Sequence, residues 1–338
     1  MAEVQQADPQ TSAVAMAADR AESRTFWIVA VPGLAVLTIA PLLSGAYFVA
    51  LLTEILIFAI LTSGLNLLVG YTGLVSLGHA AFLGVGAYVT AIISLLWGYP
   101  VWLAMIAAVA AGLVISCLIG VLSVRTRGVQ FLLITLAFGQ LFHAVAEKSR
   151  YTGGDDGMTR IPRINLEFIG LDSSDAQVFY FFVLACFVVA LFFLRIVVRS
   201  PFGRVLIGIR ENEKRVQAVG YRISPYKSLA FAFSGMLAGL SGSLWVQHTY
   251  FINPHLMTWQ MSGEALLMVI IGGSQAFFGP LLGSAFYVLL KSYLSTITDA
   301  YLVIFGLMFV FVVAFFNGGI AGFTSSMAAR VLAFWRRR

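Results

Sequence analysis

Apolar runs of about 20 residues, each long enough for a helix to cross a bilayer, recur along most of this 338-residue chain. Hydrophobic residues make up 60% of the sequence and charged residues only 11%, with a mean hydropathy of +0.92. A soluble domain of this length could not keep such a surface in solution. The expected fold is therefore all-α and integral to a membrane, with about ten transmembrane or partly re-entrant helices. Spans are predicted at 26–44, 47–69, 72–97, 101–124, 129–146, 178–198, 228–246, 263–273, 278–294 and 301–316. The eighth is too short to cross unless it begins earlier. A broken helix there is allowed only where protein covers its loose backbone groups.

One window interrupts the apolar pattern. Eight of the 21 Lys and Arg residues fall in 195–227: Arg195, Arg199, Arg204, Arg210, Lys214, Arg215, Arg222 and Lys227. The positive-inside rule keeps such a loop on the cytoplasmic side. Counting outward places both termini and the Arg125-Thr126-Arg127 hairpin inside as well, and the mixed-charge loop 147–177 outside. Within the window, Glu211 and Glu213 suit a helix N-terminus and Gly220 suits a C-terminal cap. A helix over 211–219 would be roughly 13 Å long, too short to stand alone in water, so it needs a surface to pack against. A solvated basic loop lying near anionic headgroups is the plainer alternative. The boundaries expected are a disordered cytoplasmic tail at 1–25, a transmembrane domain at 26–322 and a basic tail at 323–338.

Several chemistries find no support. The net charge of +6 comes from residues between and after apolar runs, with no basic patch of interleaved aromatics for nucleic acid. Cys117 and Cys186 lie in separate apolar runs and read as small core residues. No His/Cys cluster has metal-ligand spacing, and no Ser/His/Asp set has catalytic spacing. The phosphate-loop pattern G-x-x-x-x-G-K-[ST] is absent, so if ATP drives this protein another subunit must bind it.

Polar groups at membrane depth are costly and mark candidates for a solute path: Glu54, Asn66, His79, Gln140, His143, Glu264 and Lys291. Among these, Asn66, His79 and Gln140, together with Ser76, are the path residues favoured below. His79 beside Ser76 reads equally well as a satisfied core histidine, and Glu264 and Lys291 sit near span ends, where they can snorkel. Glycines crowd 64–86 and 263–283, which suits close helix packing or a broken backbone lining a path. Shifting the chain by 199 positions pairs Gly64 with Gly263, Gly73 with Gly272, Leu83 with Leu282, Gly84 with Gly283 and Tyr88 with Tyr287. That is either a parallel internal repeat or chance in a Gly- and Leu-rich chain. The outer stretch Thr152-Gly153-Gly154-Asp155-Asp156-Gly157 reads as turn chemistry, with weak cation affinity as the alternative.

Four ordered blocks carry a resemblance. They are GLNLLVGYTGLVSLGHAAFLGVGAYVTA (64–91), the outer TGGDDG (152–157), SPFGRVLIGIRENEKRVQAVGYRISPYKSLAFAFSGMLAGLSGSLW (200–245) and GEALLMVIIGGSQAFFGPLLGSAF (263–286). Together they resemble the LivM-type permeases of bacterial branched-chain amino acid ABC importers. The resemblance implies an inner-membrane subunit working by alternating access beside a second, LivH-type permease. It also implies two cytoplasmic ATPase subunits that use ATP and Mg, an extracytoplasmic solute-binding protein, and no cofactor on this chain. Arg210, Glu211, Glu213, Ala218 and Gly220 would form the loop that couples to the ATPases, in a degenerate form of that family's Glu-Ala-Ala...Gly motif. Gly153, Gly154, Asp155, Asp156 and Gly157 would form its outer loop. A urea or short-chain amide importer is the nearest alternative, and an ATP-independent channel or secondary transporter the alternative from another class.

Overall fold

The computed structural model describes residues 30–165, 173 and 175–297 and a few positions between 303 and 322. The expected tails, the start of the first span and the bulk of the span at 301–316 lie outside the described residues. Among the residues described up to 297, ten α-helices follow in order: α1 (Ala30–Leu43), α2 (Ala46–Val69), α3 (His79–Ala91), α4 (Val101–Ser123), α5 (Val129–Lys148), α6 (Ala176–Arg199), α7 (Pro201–Ala218), α8 (Ile223–Thr249), α9 (Trp259–Gly272) and α10 (Gly279–Ser295). A π-helical turn, Ile92–Leu96, extends α3. Among the described residues, six segments are long and apolar enough to cross a membrane: α2, α3 with its π-turn, α4, α5, α6 and α8.

Burial sorts these helices. The most apolar windows of α2 and α8 are 78% and 72% buried, against 28% for α4 and 22% for α5. Helices α2, α3 and α8 therefore form the centre, and α4 and α5 turn most of their surface outward. Glycine makes the central approach close. A Cβ on Gly86 or Gly112 would run into the backbone of Gly239 or Gly235, and one on Gly242 into the carbonyl of Leu83. Small residues of this kind let helices in an apolar solvent gain contact where no hydrophobic drive exists. Short hydroxyl bonds stitch the same seams, from Ser241 to the Ile57 carbonyl (2.7 Å), from Ser116 to that of Ala232 (3.2 Å) and between Thr62 and Ser284 (3.0 Å).

Several sequence boundaries need correction. The span predicted at 72–97 is helical only from His79, because Gly70 to Gly78 runs as turn and irregular backbone. The helix expected at 211–219 is the second half of a longer one: α7 starts at Pro201 and breaks at Asn212 (φ −159°, ψ 95°). α8 begins five residues before the expected 228, which brings Lys227 inside it. The short eighth span begins earlier, at Trp259, yet its 14 residues reach only about 21 Å, short of a hydrocarbon core of about 30 Å. Shifted by 199 positions, the extended α3 falls on 278–295, against α10 at Gly279–Ser295, whereas α2 has no equally long counterpart.

Candidate functional site

The site is built around α7. Ser200 caps its first half, accepting from the Gly203 N–H, and Pro201 follows at the first helical position, where its missing donor costs nothing. At the break, Asn212 turns extended and its Oδ1 accepts from the Arg215 N–H at 3.0 Å, starting a second short helix. That helix ends on Gly220 (φ +95°), with the Gly220 N–H bonded to Gln217 O and the Tyr221 N–H to Val216 O. This is a Schellman cap, the left-handed ending that glycine alone adopts cheaply.

Two side chains tie α7 to the bundle. Glu213 accepts from Lys227 at 3.0 Å and from Arg127 at 3.2 Å, so one carboxylate joins α7, α8 and the α4–α5 hairpin. The Lys227 side chain is 4% exposed, and a buried ammonium needs such a partner. Arg210 donates to the backbone carbonyl of Gly70, and its stem lies over Gly73 (φ +72°), where a Cβ would crowd it. Glu211, Ala218 and Gly220 are exposed on the outer side of α7.

Of the four residues expected along a path, the unwound segment from Gly70 carries Ser76 and ends at His79, while Asn66 precedes it on α2 and Gln140 lies on α5. The backbone of the segment is covered by α5: Leu77 N–H donates to Thr135 Oγ1 (3.2 Å), Gly78 lies against the Thr135 carbonyl, and Gly139 packs on Gly78. His79 is fully buried, with Nε2 2.6 Å from Ser234 Oγ and Nδ1 3.2 Å from Ser76 Oγ. Ser234 also donates to the Gly64 carbonyl at 2.5 Å, so its proton is committed and the His79 Nε2–H donates to it. Phe82 and Phe231 close edge-on around the ring. Asn66 is buried, its Nδ2 3.5 Å from the Ala276 carbonyl and its Oδ1 without a hydrogen-bond partner. It borders a cavity of about 10 Å³ with Ser63, Tyr71 and Phe277, about one water in size. Gln140 is half-buried on α5 beside Gly139.

At the opposite end of the bundle, Gly153, Gly154 and Gly157 all take positive φ. Asp155 and Asp156 form one exposed 3-10 turn between them. No group of three His, Cys, Asp or Glu able to hold a metal occurs among the described residues. A two-stranded ladder, Met158–Thr159 on Phe251–Ile252, fixes this loop to the end of α8. Arg163 anchors it further, donating to the Gln247 carbonyl (3.1 Å) and lying 4.3 Å from the Phe179 ring centroid.

Glu264 and Lys291, expected to snorkel, form an ion pair at 3.5 Å. His143 is 3.9 Å from Glu147, one turn along α5. The residues that sequence reasoning missed are Arg127, Lys227, Asn212 and Ser234. Only Asn212 carried a signal, as an Asn three residues before the N–H it caps.

A bundle of apolar helices with interrupted, glycine-lined backbone and an amphipathic helix fastened across one end suits a membrane permease. The chain belongs to the family described as branched-chain amino acid transport system / permease component, whose profile matches residues 47–313. It is 31% identical over 280 residues to the high-affinity branched-chain amino acid transport system permease protein LivM of Escherichia coli K12, covering 75% of this chain and 63% of that one. The LivM protein of Salmonella typhimurium LT2 is 30% identical over 262 residues, 70% of this chain and 61% of that one. A probable LivM of Methanocaldococcus jannaschii is 35% identical over 108 residues, 31% of this chain and 30% of that one. The chain thus spans less than two thirds of the length of the relatives it matches. No solved structure matches it.

Proposed function

We propose that this chain is the permease subunit of an ABC importer that moves a branched-chain or other apolar amino acid across the bacterial inner membrane. A second, LivH-type permease would stand beside it, two ATPases would bind ATP and Mg below, and a solute-binding protein would deliver the substrate above. On this reading the α7 end is cytoplasmic, both termini lie on that side, and the chain itself holds no cofactor.

The observation that supports it best is the attachment of α7. A helix that only fixed topology would need no caps and no buried partners. This one is capped at three points and fastened by Arg210 and Glu213 to the unwound segment, the α4–α5 hairpin and α8. Between its two halves lies an open groove of about 380 Å³ bordered by Arg204, Val205, Arg215, Val216 and Tyr221, suited to an ATPase surface that offers apolar and acidic side chains. Movement of α7 on that surface would pull on Gly70 through Arg210 and so reach Ser76 and His79. Asn66 and Gln140 flank the same segment and are the residues proposed to meet the solute. The apolar stripe Val129, Leu133, Leu141 and Val145 on α5 is exposed and suits the second permease.

Replacing Gly220 with Val tests the reading. A Cβ at Gly220 has nothing within 4 Å to strike, so the substitution acts only through its left-handed backbone, at a cost of roughly 1–2 kcal/mol. In vesicles holding all partners, ATP-driven uptake is expected to fall while the subunit remains inserted. ATP-independent uptake by this chain alone would overturn the proposal.

A further inference from the structure

Two polar atoms near the end of α2 lie buried beside one small cavity. Ser63 Oγ and Asn66 Oδ1 are shut off from solvent, and among the described residues neither has a hydrogen-bond partner. Their residues are only 5% and 3% exposed. Three positions apart on α2, they share a face and border the same space, which Leu67, Leu194 and Val198 of α6, and Phe277 also line. Other hydroxyls of α2 turn back on their own backbone: Thr53 donates to the Val49 carbonyl at 2.8 Å and Thr62 to that of Phe58 at 2.7 Å. Ser63 does not, and the carbonyl one turn behind it, that of Ala59, already accepts from Thr62 at 3.3 Å. Asn66 is oriented by its other end, since Nδ2 donates to the Ala276 carbonyl and Oδ1 is therefore the acceptor. One of the two groups can give a proton and the other can take one.

The cavity offers about 10 Å³, the room that the centre of one water needs. Leaving both atoms unmet among apolar side chains is costly, and one molecule able to accept and donate at once removes both costs. We propose that this cavity binds a single ordered water, which accepts from the Ser63 hydroxyl and donates to Asn66 Oδ1. Two neutral oxygens are too few to replace the hydration shell of a cation, so the occupant is water and not an ion. An amino acid is far too large for the space. On the transport reading given above, the water therefore holds, in this conformation, the Asn66 group proposed to meet the solute. The site itself rests on the two buried atoms and not on that reading.

The test uses the full chain in nanodiscs, without solute, ATP or partners, so its outcome is separate from that of any uptake assay. Hydroxyl radicals that X-ray pulses generate from a bound water label the side chains beside it, even where bulk solvent does not reach, and mass spectrometry reads the label. Leu67, 1% exposed, borders the cavity, whereas Leu56 on the same helix is 0% exposed and does not. Labelling of Leu67 is expected several-fold above that of Leu56, and Ser63→Ala with Asn66→Leu should bring it down to the Leu56 level. Thermal unfolding gives a second measure. Ser63→Ala alone should lower the melting temperature, because it takes a donor from a satisfied network, whereas removing a hydroxyl that met nothing would raise it or leave it unchanged. Equal labelling of Leu67 and Leu56 in the natural chain, undiminished Leu67 labelling in the double variant, or a melting temperature that Ser63→Ala leaves unchanged or raises overturns the proposal.

Discussion

The Arg210 guanidinium on α7 donates to the backbone carbonyl of Gly70, a group that has left helix α2 and joined no other. A half-buried charge from the proposed docking helix thus meets the first residue of the segment that leads into the bundle. Removing the side chain deprives a covered carbonyl of its donor, a loss of about 1–3 kcal/mol. For Arg210→Ala we predict uptake reduced at least several-fold relative to ATP hydrolysis in the reconstituted complex. Uptake and hydrolysis that fall in step would show that the contact does not couple the two.

Glu213 and Lys227 should behave as a unit. Glu213→Ala strands a nearly buried ammonium, and a loss of roughly 2–3 kcal/mol is expected, below that of a fully buried pair because the carboxylate side chain is 22% exposed. The double variant Glu213→Gln with Lys227→Met removes both charges and should recover most of that loss, since apolar replacements of buried pairs are often neutral. Arg127, 57% exposed, should contribute about 0–1 kcal/mol. Thermal unfolding of the single and double variants in detergent checks all three values. Additive losses would mean the pair is not energetically linked.

Glycine substitutions should divide by what they strike. Gly112→Ala forces a methyl into the backbone carbonyl of Gly235, which cannot swing aside, so a loss of roughly 1–3 kcal/mol or failure to assemble is expected. Gly263→Ala, in α9 with nothing within 4 Å, should be neutral or stabilising by up to about 1 kcal/mol. Melting temperatures that shift equally in the two variants would contradict the close seam between α4 and α8.

His79 presents a choice that one experiment decides. If it acts as a latch, Ser234→Ala should cost about 1–3 kcal/mol by leaving its Nε2–H unpaired, with the relative uptake of leucine, isoleucine and valine unchanged. If His79 meets the solute, those ratios will move while stability holds. Competition uptake alongside thermal unfolding distinguishes the outcomes.

The sequence carried the apolar helices well, because span length and hydropathy are properties of contiguous residues; α4 begins where it was expected and α6 within two residues. The glycines of 70–78 offered broken backbone as one of two readings, close helix packing being the other, while the predicted span still ran on from 72. What releases them from helix is supplied from afar, by Thr135 on α5 and Arg210 on α7. Gly220 was legible as a cap because the requirement is local. Lys227 was not, since nothing beside it says that Glu213 will neutralise it. The same limit applies to Ser234, whose partners His79 and Gly64 lie over 150 positions earlier.

The brevity of α9 bears on what holds it in the bundle. A 14-residue apolar helix is a weak signal for entry into a bilayer, and lipid alone does not retain it. Its Ser262 hydroxyl accepts from the Ala80 N–H at the start of α3, and its end is locked by Gly272 against Gly279. Contact with α3 and α10, and not the hydrophobicity of the segment, therefore holds α9 in place, so a change at Ser262 or Gly272 would loosen this part of the permease with its apolar residues untouched.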